Sequence, residues 1–257
     1  MRTRHWLAVS VTVGGLAAGL VAATLPASAV VNGPEATESY PFMASLQVED
    51  GTHECGGSLI APEWVLTAGH CVDFADQIKK VRLGSAHTAS GGELFDVADV
   101  VVHPAFTRSP ALTHDIALVR LSRPAAEPPV SIGDSPAAGA AVRIIGWGNT
   151  CADCGRPTMS ETLRQMDTVV AADAARCEHG DIDAASEICI DPHGGLRPDK
   201  GDSGGPLLVR AGDTWTVAGI TSRPGVTSLD DNNGEVTTIY TAPQFYREWI
   251  ADVVKAG

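Results

Sequence analysis

The chain alternates short apolar runs with turn residues, and few of its apolar patches have helical spacing. Met43–Val48, Phe95–His103, Ile116–Leu121, Val142–Ile145, Pro206–Val209, Trp215–Thr221 and Val236–Thr241 are each short and apolar or alternating. Gly, Pro and Asp clusters separate them, which is the pattern of antiparallel strands joined by tight turns. Only the C-terminal end reads as a longer helix, with Phe245, Trp249, Ile250, Val253 and Val254 falling on one helical face. A Pro- and Ala-rich stretch, Arg123–Ala141, divides the strands into two groups. The expected fold class is therefore all-β, in two halves, with a C-terminal helix. No internal repeat or low-complexity tail is evident.

The first 29 residues have a different character. Arg2, Arg4 and His5 form a basic head, and Trp6–Leu25 is almost wholly apolar or small. Ala27-Ser28-Ala29 then supplies the small-x-small pattern that signal peptidase cuts. A permanent anchor is the competing reading, since the run is almost long enough to span a bilayer. The glycine breaks and the cleavage pattern favour removal. The expected mature chain is residues 30–257, exported and without stable membrane association.

The formal net charge is −13 at pH 7, and losing Arg2 and Arg4 with the leader makes it −15. An acidic surface argues against nucleic acid as a partner. Six cysteines in an exported chain read as three disulfides, for which sequence alone leaves fifteen pairings. Cys151-Ala152-Asp153-Cys154 could instead be a redox or metal motif, but no second Cys or His pair lies near it.

Three segments carry candidate chemistry. Gly201-Asp202-Ser203-Gly204-Gly205-Pro206 places a hydroxyl between glycines, where backbone can approach a substrate. Thr67-Ala68-Gly69-His70-Cys71 offers a base, and Asp115-Ile116-Ala117-Leu118 a buried-looking carboxylate. A serine hydroxyl is a weak nucleophile until a base within hydrogen-bond reach, oriented by a third group, takes its proton. Gly-x-Ser-x-Gly also fits the α/β-hydrolase elbow, but that fold places its histidine after the serine, and the last histidine here is His193. His87, His103 and His114 read as surface or structural; His114, beside Asp115, is the rival base but lacks the Ala-x-His-Cys setting.

In order and together, these segments resemble the trypsin/chymotrypsin-like serine peptidases, from about Val30 to the C-terminus. The resemblance implies two antiparallel six-stranded β-barrels, the first over about residues 30–130 and the second over about 140–257. It implies a His70, Asp115, Ser203 triad, with the N–H groups of Gly201 and Ser203 as oxyanion hole. It implies no cofactor and no metal; Glu93 and Asp96 alone do not make a calcium loop. The implied substrate is a protein or peptide, cut through an acyl-enzyme. An esterase using the same triad, or a peptidase-like binding protein with little turnover, is the alternative. A protein inhibitor is not readable from the chain.

Further roles follow from the same resemblance. Cys55 pairs with Cys71 and Cys177 with Cys189, which leaves Cys151 with Cys154. Val30-Val31-Asn32-Gly33 resembles the family's activated N-terminus, whose ammonium would pair with Asp202. His53 resembles a family histidine near that pocket and is given no catalytic role. The substrate-binding region departs from the pattern. Arg197 stands six residues before the nucleophile, at the expected pocket floor, against the cleavage after Lys or Arg that a trypsin would perform. Asp199 occupies a position where the family has a bridged cysteine. The substrate-pairing segment reads Ser222-Arg223-Pro224, where Pro224 has no N–H to donate and Ser222 can support Asp115.

Overall fold

The computed structural model describes residues 33–73, 77–109, 111–150, 158–191, 197–225 and 236–257. Six strands make the first half: β1 (Met43–Gln47), β2 (His53–Ala61), β3 (Trp64–Thr67), β4 (Lys80–Leu83), β5 (Glu93–Val102) and β6 (Ala117–Leu121). They close into an antiparallel barrel in the order β1-β2-β3-β6-β5-β4. The second half adds β7 (Ser131–Ile132), β8 (Ala141–Gly146), β9 (Arg164–Val169), β10 (Glu187–Ile190), β11 (Pro206–Ala211), β12 (Thr214–Pro224) and β13 (Thr238–Thr241). Its antiparallel path runs β10-β13-β12-β11-β8-β9, with the short β7 lying parallel to β12. The fold is the expected double barrel, though the second stands as an open half-barrel among the described residues.

Alternation explains how the halves share one interior. In β8, Val142 and Ile144 enter the core of the second half with Met166, Ile188, Leu207 and Tyr240. Ile145, on the other face, joins the larger core that fills the first barrel and runs on to Leu208, Val217 and Ile220. Strands buried on both sides read as unbroken apolar runs, so their period of two is hidden in the sequence.

The helix α1 (Arg247–Ala256) packs back on the first barrel through Ile250, with Trp249, Val253 and Val254 against the same core. Phe245 does not share that face. It lies in a 3₁₀ turn, Pro243–Tyr246, and is 56% exposed while Tyr246 is buried. A tighter turn advances side chains by 120° each rather than 100°, so helical spacing fails across it. No helix among the described residues is long and apolar enough to cross a membrane.

Candidate active site

The antiparallel ladder of β3 and β6 ends with Thr67 opposite Ala117. Beyond it, Ala68 leads into a 3₁₀ turn, Gly69–Cys71, on one strand, and Asp115 precedes the other. Pairing register alone thus brings His70 and Asp115 together. His70 Nδ1 lies 2.7 Å from Asp115 Oδ2, and the His70 backbone N–H donates to Oδ1 at 2.8 Å. The Cys55–Cys71 disulfide ties this turn to β2. Arg108 adds a clamp from the β5–β6 loop, donating to the His70 carbonyl at 2.7 Å and pairing with Asp73.

Asp115 is fully buried. Burial pushes its carboxyl upward, but hydrogen bonds from His70 and Ser222 and the charge of His70 outweigh that and hold it below the ordinary value. Two of its bonds come from the second half: Ser222 Oγ donates to Oδ2 at 2.6 Å, and Thr241 Oγ1 to the Asp115 carbonyl at 3.0 Å. Asp115 therefore gains its full set of bonds only when both halves are docked.

Ser203 sits just before β11. Gly204 N–H donates to Thr221 O, and Thr221 N–H to Gly205 O, extending the β11–β12 ladder to the residue after the serine. Across the interface Gly56 N–H donates to Ser203 O at 2.7 Å. Gly56 follows the bridged Cys55, so serine and histidine turn are linked through one short path. Gly204 has φ +74°, and a Cβ there would stand 2.2 Å from Thr67 Oγ1. That close approach sets the serine loop against the strand leading to His70. Among the described residues no hydrogen bond joins Ser203 and His70; such bonds often tighten only with substrate bound.

Gly201 has φ +92°, and a Cβ would meet Met159 Sδ at 2.7 Å, so a side chain there is excluded twice over. The N–H groups of Asp202, Gly204 and Gly205 have backbone acceptors. Those of Gly201 and Ser203 have none among the described residues, which leaves two donors of the same loop uncommitted. His53, which the sequence left without a task, holds this loop from behind. Its Nε2 bonds the Gly201 carbonyl at 2.9 Å and its Nδ1 bonds Ser45 Oγ at 2.8 Å. Burial lowers the imidazole to about 4, against a smaller opposing effect of the Gly201 bond. At neutral pH the ring is uncharged, so it bonds the carbonyl in the tautomer that donates from Nε2.

Asp202 is buried, and its carboxylate accepts from Gly148 N–H at 2.9 Å and Asp199 N–H at 3.0 Å. Burial pushes it up to about 7; the two N–H bonds pull it down and the charge of Asp199 adds to the rise. Val30, its expected partner, lies outside the described residues. Asp199 turns toward this loop, accepting from Asn149 Nδ2 at 3.4 Å, and Arg197 is half-buried nearby in sequence.

Arg223 does not project as a free cation. Its guanidinium meets Glu187 in a two-pronged pair at 2.6 and 2.9 Å, with side chains 10% and 4% exposed. It also donates to Gly180 O at 2.9 Å and Asp181 O at 3.0 Å. Glu187 was not found from sequence, because nothing local to it marks a partner 36 residues away. Removing one partner of a buried pair strands the other charge. Glu187→Ala is expected to cost about 3–5 kcal/mol, read as a lowered midpoint in denaturant unfolding. A loss under 1 kcal/mol would show that Arg223 relaxes into water.

Cys177 pairs with Cys189, as expected. Cys151 and Cys154 lie outside the described residues. Cys55, His70 and Cys71 bring two sulfurs and an imidazole within 4.8 Å. Both sulfurs are committed to the disulfide, so neither is a thiolate ligand.

The comparisons with known proteins agree with this geometry. The trypsin family model matches residues 30–250. Bovine (Bos taurus) proproteinase E is 35% identical over 256 residues, covering 90% of this chain and 97% of that protein. Chymotrypsin-like elastase family member 3B of Macaca mulatta is 35% identical over 252 residues, covering 89% and 95%. The solved structure of neuropsin, a serine protease expressed in the limbic system of mouse brain, superposes with a TM-score of 0.74 at 28% identity. That alignment covers 87% of this chain and 99% of neuropsin. The chain belongs to the trypsin family and is a serine-type peptidase, a hydrolase of proteins or peptides.

Proposed function

We propose that the chain is an exported serine endopeptidase that works through an ester on Ser203. The buried Asp115–His70 contact is the observation that carries this reading, and the Gly56 N–H bond to the Ser203 carbonyl, next to the bridged Cys55, supports it. His70 Nε2 takes the proton of Ser203 Oγ as that oxygen attacks the scissile carbonyl. The developing oxyanion receives the N–H groups of Gly201 and Ser203. The C–N bond then breaks, and His70 returns the proton to the leaving amine. Water repeats the sequence on the ester, His70 again acting as base and then as acid, to free the acid product and Ser203. Fluorophosphonate labelling mapped to Ser203, with hydrolysis rates on matched amide and ester substrates, tests this. Labelling with no amide turnover would favour the esterase or the binding protein.

Export and activation are part of the same proposal. Signal peptidase acting after Ala29 would expose Val30 with no later cut, and the new ammonium would pair with Asp202. The sign of the linkage makes this testable. An aspartate whose folded value is raised from 3.8 to about 7 favours the folded state most below pH ~4. That contribution is lost as pH rises from about 4 to about 7. A protein extended before Val30 should therefore be less stable at pH 7.5 than at pH 5, whereas one starting at Val30 should not show that decline. Turnover of the extended protein should be lower by about 10²–10³ for each misplaced oxyanion donor. Full activity in a protein that starts well before Val30 would refute the activation argument.

A further inference from the structure

The strand that borders Ser203 has one flank that is closed in an unusual way. β11 pairs with β12 up to Ile220, and the serine loop continues that pairing only to Thr221. β13 covers the opposite flank from Ile220 to Pro224. Among the described residues, one flank of β12 past Thr221 is therefore an unpaired edge beside the candidate triad, where an extended peptide can add as a further strand. Gly225 N–H donates to Thr237 O of the β13 side at 2.8 Å. Backbone groups alternate in direction along a strand, so Pro224 turns its own toward the open edge. It has no N–H to offer there. Its carbonyl oxygen faces Gly180, where a Cβ would come within 2.7 Å of it. Gly180 is fixed in that place by the Arg223 guanidinium, itself anchored on buried Glu187.

Resting on the endopeptidase reading above, we propose that Pro224 and the Arg223-pinned Gly180 end the substrate-binding edge just past Ser222. Recognition before the scissile bond then stops at about the second residue. The substrate class is peptides chosen by one or two residues there, with further extension adding almost nothing to the rate. Pro224 is itself exposed, so the closed edge is a matter of backbone chemistry rather than of a buried wall.

The test begins with a proteome-derived peptide library, which identifies the preferred residues at the two positions before the cut. Acetylated coumarin amides carrying those residues are then made with one, two, three and four residues before the bond. Going from two to four residues should change kcat/KM less than threefold. Pro224→Gly restores a donor at an exposed position, and should raise kcat/KM for the three-residue amide over the two-residue one by about threefold to tenfold. A rise of tenfold or more with length in the natural protein would overturn the inference while leaving the endopeptidase reading intact. A flat length series in Pro224→Gly would also overturn it, by showing that the missing donor is not what limits the edge. A library left uncut by protein whose Ser203 is labelled by fluorophosphonate would overturn the endopeptidase reading, and this inference with it.

Discussion

Ser203→Ala should lower turnover by about six orders of magnitude and abolish fluorophosphonate labelling. The rest of the loop is held by bonds that do not involve this hydroxyl. Gly204 and Gly205 are committed to the β11–β12 ladder, Asp202 to Gly148 and Asp199, and the Gly201 carbonyl to His53. Ser203 contributes its carbonyl to Gly56, a backbone bond that alanine keeps. Deleting one half-exposed hydroxyl therefore leaves these contacts of the loop in place, and the unfolding midpoint should move by less than about 0.5 kcal/mol. Turnover has no such reserve, because the nucleophile, base and acid act as a unit. Retained covalent labelling in the purified variant would mean that another nucleophile is at work.

The parts of this molecule that were legible in its sequence are those where one local rule acts alone. β6 and β13 sit where short apolar runs between turn residues placed them, and His70 lies against Asp115. The missed elements fail for identifiable reasons. β2 reads His53–Ala61 with two glycines and a glutamate, a poor strand by composition. Its glycines are needed because Gly56 passes so close to Gly205 that a Cβ would stand 2.8 Å from its Cα. β9, Arg164–Val169, carries Arg, Gln and Asp, whose partners lie in distant segments: Gln165 receives Thr37 N–H, and Asp167 pairs with Arg143. Long-range polar pairing leaves no periodic trace in either segment.

The candidate site shows the same division. The triad segments are compact, so residue type and order expose them. Their supports are scattered: His53 behind Gly201, Arg108 on the His70 carbonyl, and Glu187 under Arg223. Each is an ordinary residue until tertiary structure delivers its partner. Arg223 illustrates the limit best. From sequence it could line the substrate groove, and only the fold shows its guanidinium turned to Glu187 and the carbonyls of Gly180 and Asp181.

Asp115→Asn should keep the fold and lower turnover by about four orders of magnitude at neutral pH. Three donors converge on this carboxylate: His70 Nδ1–H, His70 N–H and Ser222 Oγ–H. An asparagine of the same shape can accept from the His70 backbone through its oxygen. Its amide nitrogen then faces the imidazole and can only donate. Nδ1 must become the acceptor, so the ring proton moves to Nε2, the atom that has to receive the proton of Ser203. The base is lost by its tautomer, with the ring still in place, and the imidazolium that would follow has no counter-charge. The pH dependence of stability should change on the acid side alone. The Asp115 carboxyl is held below its ordinary value, so it favours the folded state above pH ~4 and loses that effect as pH falls through the folded value. The Asn variant lacks this limb, and its unfolding midpoint should depend less on pH below about 4. Fluorophosphonate labelling kinetics should slow in parallel with turnover, because both need the same proton transfer. A loss under tenfold, with the acid limb unchanged, would mean that a group other than Asp115 orients His70.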